Sequence, residues 1–200
     1  MKTIATFFAL LAFQFIAILT AKADTPVQCT FNGDPASVTA QAETDKYCWI
    51  GTKDGLYLIR KKGHKVFHMT SKNSLLPSDH ITSIAVNANG EAYIGTNEGI
   101  LRYDNYTFLL IDKENSALKS NHITSLACLN GTDIYAGTLD KGITVFSGLS
   151  SKTFTADNSL ITDNHVLSIE QKGNNSLLAI LENDQRVCIR NKQFLTLDSE

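Results

Sequence analysis

The sequence predicts an all-β chain: a β-propeller of about four four-stranded antiparallel blades, as a small closed ring or a partial propeller. Two observations carry the prediction. One hairpin is written three times, as CWIGTKDGLYLIR from Cys48, AYIGTNEGILRYD from Ala92 and IYAGTLDKGITVF from Ile134. Independent landmarks then share its period. Gly51, Gly95 and Gly137 are 44 and 42 residues apart, while Asn73-Ser74, Asn115-Ser116 and Asn158-Ser159 are 42 and 43 apart. His80-Ile81, His122-Ile123 and His165-Val166 repeat at 42 and 43. A period near 43 with alternating apolar residues is that of a propeller blade, which cannot bury both of its faces alone and must stack on neighbours.

Taken in order, residues 1–23 stand apart. Lys2 precedes an apolar run from Ile4 to Leu19, and Ala21-Lys22-Ala23 places small residues where a signal peptidase reads, so a cut at Ala23/Asp24 is expected. The run is shorter than a spanning helix requires, and no second run of spanning length follows. The expected product is exported, with no membrane span after cleavage, and the propeller domain occupies 24–200. Blades are expected at about 36–69, 80–111, 122–155 and 165–198.

The clearest copy resolves into strands at 80–86, 91–96, 100–103 and 106–111. Asn89-Gly90 and Gly99 supply the turns, since a residue with positive φ closes a tight hairpin. A polar stretch, 112–121, leads to the next copy. No helical period is visible. The fourth copy is degraded: Ile180 stands where the others have glycine, and Gln185 where the turn glycine falls. Near the N-terminus, Val27 to Phe31 reads as the fourth strand of a further blade, surplus to the four, which could add to an edge, pair with another chain or be a relic. An uncovered blade edge invites association.

Composition excludes several classes. Eighteen basic against twenty acidic residues give no field to steer nucleic acid or an anionic membrane. The one basic cluster, Arg60 to Lys65, falls on a hairpin turn and reads as solvated. Cys29, Cys48, Cys128 and Cys188 are too few and too far apart for a disulfide scaffold or a structural zinc site, and no pairing follows from spacing. No metal and no cofactor is expected.

The stretch LPSDHITSIAVNANGEAYIGTNEGILRYD resembles the two-component-regulator propeller repeat, with its leucine-rich lead-in, I-x-x-I strand, G-x-x-W/Y-I-G-T strand and x-x-G-L-x-R-Y/F-D hairpin. CWIGTKDGLYLIR matches the second half of that repeat, including the tryptophan. The resemblance is clear over about 46–170 and weak in the fourth copy. It implies an extracytoplasmic bacterial sensor scaffold, periplasmic or secreted in a Gram-negative cell. The family's usual transmembrane segment and histidine kinase are not found in this sequence.

Antiparallel order puts the turns after second strands and the fourth-to-first connections on one end of the blades. Lys53-Asp54-Gly55, Asn97-Glu98-Gly99 and Asp140-Lys141-Gly142 therefore share a face with His80, His122 and His165. Lys53, Asp54, Asn97, Glu98, Asp140 and Lys141, with Trp49 as a stacking aromatic, are the ligand-binding candidates. Lys141 is an insertion in its turn, Trp49 is unique in the chain, and Glu182-Asn183-Asp184-Gln185 departs from the repeat, as an informative site or as a capping or decaying blade. The three histidines, one per blade, read as repeated structural positions, like Gly51, Gly95, Gly137, Gly55, Gly99 and Gly142. Ser74, Ser116 and Ser159 read as turn chemistry, because an active site needs one nucleophile in an asymmetric pocket. Trp49, Tyr93 and Tyr135 read first as packing between blades. Asn105, Asn130 and Asn174 begin N-x-S/T triplets, which matter only in a eukaryotic secretory pathway.

The leading functional reading is a non-enzymatic exported recognition module that binds a small ligand, a glycan by family analogy, or a partner protein. The alternatives are a structural module that completes a larger propeller by oligomerising, and a truncated relative of a two-component sensor.

Overall fold

A computed structural model of the chain describes residues 31, 33–34, 37–173 and 175–196. The expected signal segment and its cut, the strand-like run from Val27 apart from Phe31, and Cys29, Asn174 and Leu197 lie outside the described residues. Sixteen strands and no α-helix occur among those residues. They form four four-stranded antiparallel sheets, each in chain order.

Blade 1 contains β1 (Val38–Glu43), β2 (Tyr47–Thr52), β3 (Gly55–Arg60) and β4 (Val66–Met69). Blade 2 contains β5 (Ile81–Val86), β6 (Ala92–Thr96), β7 (Gly99–Tyr103) and β8 (Phe108–Ile111). Blade 3 contains β9 (Ile123–Leu129), β10 (Asp133–Thr138), β11 (Ile143–Ser147) and β12 (Ser150–Phe154). Blade 4 contains β13 (Val166–Gln171), β14 (Leu177–Leu181), β15 (Arg186–Arg190) and β16 (Gln193–Thr196).

Second strands are buried on both faces, as in YCWIGT and DIYAGT, because each sheet meets a neighbour on either side. Three apolar layers result. Trp49, Leu56 and Leu58 of blade 1 meet Ile81, Ile94 and Leu101 of blade 2, with Leu76 of the connection between them. Tyr93, Ile100 and Ile111 meet Ile123 and Ile134 across Leu118. Tyr135, Ile143 and Val145 meet Val166, Leu177 and Val187 across Ile161. A fourth, smaller cluster covers the outer face of blade 1, where Phe31 joins Cys48, Ile50, Tyr57 and Ile59. Among the described residues no apolar layer joins blade 4 to blade 1, and the first strands stack from β1 to β5 to β9 to β13. The fold is a partial propeller.

The repeated glycines of the second strands have a steric cause. A Cβ at Gly51 would overlap Ile81 Cγ2, the first residue of the next blade. One at Gly95 would lie 2.9 Å from Ile123 Cγ2, and one at Gly137 2.6 Å from Val166 Cγ1. Each glycine lets the next blade approach a strand that carries no side chain at that point.

Among the cysteines, Cys48 is disulfide-bonded, and Cys128 and Cys188 are free.

Candidate functional site

The turns between second and third strands are built alike in blades 1 to 3. The buried hydroxyl of Thr52 donates to the Gly55 carbonyl at 2.8 Å and accepts from the Asp54 amide at 3.1 Å. Thr96 makes the same pair with Gly99 and Glu98, at 2.9 and 3.0 Å. Thr138 does so with Gly142 and Lys141, at 2.9 and 3.0 Å, so the longer turn keeps the device. Gly55, Gly99 and Gly142 hold φ of 120°, 124° and 73°, a region that favours glycine. These threonines carry the turn geometry, and only their place in the G-T dipeptide marked them in the sequence.

The connections between blades are equally regular. Asn73 accepts from the Thr70 amide and donates to the His68 carbonyl; Asn115 and Asn158 repeat both bonds. Ser74, Ser116 and Ser159 donate to the carbonyls of Thr70, Asp112 and Thr155. Those hydroxyl protons are committed to turn bonding, as the sequence reading held.

Turns and connections meet on one end of the blades. The Gly55 amide donates to Asp79 O at 2.8 Å, beside His80. In blade 3 the Leu139 amide donates to His122 O at 3.0 Å, and the Gly142 amide to Asn164 O at 2.8 Å, beside His165. The Glu182 amide donates to His165 O at 3.0 Å. Lys53, Asp54, Glu98, Asp140 and Lys141 are exposed on these turns, and Asn97 is half-buried with its Oδ1 unpartnered. Lys141 and Asp140 form a 3.8 Å ion pair within one turn, half-exposed and weak.

Two expectations change here. Trp49 cannot stack on a ligand: it is fully buried between blades 1 and 2, edge-on to Tyr47 at 5.8 Å and tilted against Tyr103 at 5.4 Å. Period-2 alternation aims it at blade 2 rather than at the turn face. The structural role of the histidines also runs through their backbones. The imidazoles of His80 and His122 are exposed and bond to no other described residue, whereas His165 Nδ1 lies 3.8 Å from Glu182 Oε2. No cluster of three His, Cys, Asp or Glu side chains able to hold a metal occurs among the described residues.

The basic cluster lies elsewhere, on the β3–β4 turn. There Lys61 pairs with Glu43 at 2.9 Å, and Lys65 sits 4.7 Å over the Phe67 ring. A groove of about 340 Å³ between the outer strands of blades 2 and 3, lined by Leu109, Ile111, Phe146 and Leu149, contains none of the candidate residues.

No protein-family model and no curated protein matches the chain. Solved structures do. The extracellular domain of the hybrid two-component system BT3049 from B. thetaiotaomicron is 25% identical over 80% of this chain and 23% of that domain, with a TM-score of 0.66. The extracellular domain of the hybrid two-component system BT4673 from the same organism is 23% identical over 85% of this chain and 24% of that domain, at 0.64. A streptogramin B lyase, 12% identical over 85% of this chain and 58% of its own, at 0.60, shares the fold alone. The chain thus spans about a quarter of the sensor domains it matches. No helix among the described residues is long and apolar enough to cross a membrane. The chain is thus similar in structure to extracellular domains of two-component-system sensors of the propeller-repeat type.

Proposed function

We propose that this chain is an exported, non-enzymatic recognition module that binds a small ligand or a partner protein through the turn face of its blades. The observation that carries the reading is the likeness to extracellular sensor domains, which reaches 25% identity over 80% of the chain. The turn face adds the chemistry. It presents Lys53, Asp54, Glu98, Asp140, Lys141 and the imidazoles of His80 and His122 from three successive blades, on backbone held by threonine and glycine. Donors and acceptors of both signs on a rigid base suit a polar neutral ligand, such as a glycan, better than a polyanion. In this reading residues 1–23 direct export, and the product works in the periplasm or outside the cell.

The test is thermal denaturation of the chain against a panel of oligosaccharides. A ligand that binds the folded state raises the melting temperature by mass action, by about 2.7 kcal/mol of stability at a hundredfold excess over Kd. Replacing Lys53, Asp54, Glu98, Asp140 and Lys141 with alanine should abolish the shift and leave the unliganded melt within a few degrees. A shift that survives this replacement would place binding elsewhere, and no shift with any sugar would remove the glycan class.

A further inference from the structure

The outward face of blade 4 breaks the repeat at three points where a further blade would press. In blades 1 to 3 the cross-strand row through the second-strand glycine reads Gly51–Leu56, Gly95–Ile100 and Gly137–Ile143, and those three aliphatic partners are fully buried. In blade 4 the row reads Ile180–Arg186, with Arg186 exposed. The next row reads Ala42–Trp49, Ala85–Tyr93 and Ala127–Tyr135, and then Glu170–Leu178, with Glu170 exposed. Thus glycine has become a β-branched side chain, alanine a carboxylate and a core aliphatic a guanidinium.

The substitutions act together. A Cβ at each of the three glycines meets the first residue of the following blade, so the side chain of Ile180 fills the volume that residue would need. Burying Glu170 and Arg186 against an apolar sheet would strip both charges of water. The outer face of blade 1, the candidate for ring closure, is such a sheet: Cys48, Ile50 and Ile59 are buried there beneath Phe31, which stands edge-on to Tyr57 at 5.0 Å.

The fourth turn shows the same change of direction. In blades 1 and 3 the turn glycine donates forward, to the connection that leads into the next blade. In blade 4 the turn reaches back. Gln185 Oε1 accepts from the amide and hydroxyl of Thr162, at 2.7 and 2.9 Å, its Nε2 donates to Leu160 O at 3.0 Å, and Asn183 donates to Thr162 Oγ1 at 2.8 Å. Residues that look degraded in the sequence thus fasten this turn to the connection that runs from blade 3 into blade 4.

We infer that blade 4 is a terminal cap, whose outer face is built for solvent and refuses a further blade of this repeat, whether the first blade of the same chain or that of a second copy. Repeat arrays need such a polar outer face where stacking stops. The inference does not depend on what the turn face binds. It removes blade-to-blade completion through blade 4 as a mode of assembly.

The test is the absolute mass of the full chain by light scattering after size exclusion, for the wild type and two variants. Wild type should run as a monomer at every concentration loaded. Ile180→Arg should leave the mass unchanged and the melting temperature within about 2 °C, because the side chain is only half-buried and stands beside exposed Arg186. The quadruple variant E170A/I180G/R186I/C188V puts back the residues that blade 3 carries at the matching positions, Ala127, Gly137, Ile143 and Val145, and should associate. A wild-type oligomer that Ile180→Arg dissociates would overturn the inference. So would a folded quadruple variant, judged by circular dichroism, that stays monomeric; should it fail to fold, the Ile180→Arg comparison decides alone.

Discussion

Tyr135 is fully buried, yet its hydroxyl has no hydrogen-bond partner among the described residues, and burial pushes its pKa from 10.0 up to about 12. Two consequences follow at this scale. Tyr135→Phe removes an unsatisfied group and keeps the ring, so stability at pH 7 should hold or rise by up to about 1 kcal/mol in urea denaturation. Because the folded pKa is raised, the neutral phenol's contribution is present below pH 10 and is lost as pH climbs through about 12. The phenylalanine variant should lack that share of the alkaline loss. Asp79 shows the opposite sign. The Ser71 amide donates to its carboxylate at 2.6 Å and holds its pKa below the usual value. Its contribution is present above the unfolded pKa of 3.8 and fades as pH falls through the lower folded value. The equivalent positions, Asn121 and Asn164, accept the same amide bond with a carboxamide oxygen. Asp79→Asn keeps the amide bond and loses the charge, so the urea midpoint at pH 7 should fall slightly and its decline below about pH 4 should flatten.

At the scale of the element, each turn of blades 1 to 3 hangs on one buried threonine. Thr96→Val keeps the shape, removes the hydroxyl that bridges Glu98 N and Gly99 O, and leaves a part-buried amide and a buried carbonyl short of a partner. A loss of about 1–3 kcal/mol in chemical denaturation is expected, with the far-UV spectrum unchanged. Strands and turns were legible in the sequence because period-2 alternation and turn glycines are local signals. Their ends were less so. The first strand of blade 2 begins at Ile81 rather than His80, whose backbone turns on the Ser78 hydroxyl. The fourth begins at Phe108 rather than Tyr106, because Asp104 Oδ1 takes the amides of Tyr106 and Thr107 out of the ladder. Of the site, the placement of Lys53, Asp54, Glu98, Asp140 and Lys141 on exposed turns followed from strand order alone. The burial of Trp49 between blades 1 and 2 agrees with the first reading of the second-strand aromatics and removes it from the ligand candidates.

For the whole molecule, cohesion runs between neighbouring blades. Each apolar layer joins one pair of sheets through one buried aliphatic residue of the connection, Leu76, Leu118 or Ile161. A smaller tie joins blades 3 and 4 at the end away from the candidate site, where Lys192 meets Asp133 at 3.3 Å and Ser147 Oγ at 2.6 Å. In such a nearest-neighbour array, a cavity in one layer weakens that layer most. Ile143→Ala, with its site fully buried between blades 3 and 4, should cost about 2–5 kcal/mol and raise amide exchange in β13–β16 before it does so in β1–β4. The period of 43 made this layered arrangement legible. The unlike chemistry of the two end faces emerged only when the cross-strand rows could be aligned.

The only tryptophan of the chain sits in one of these layers, out of contact with the other two. Its emission is therefore a local optical reporter for blades 1 and 2, blue in the native state and shifting red when that layer alone admits water. In Ile143→Ala the far-UV signal of blade 4 should fade at a lower urea concentration than the indole shift, so that one sample, read at two wavelengths, times the separation of the two ends of the arc.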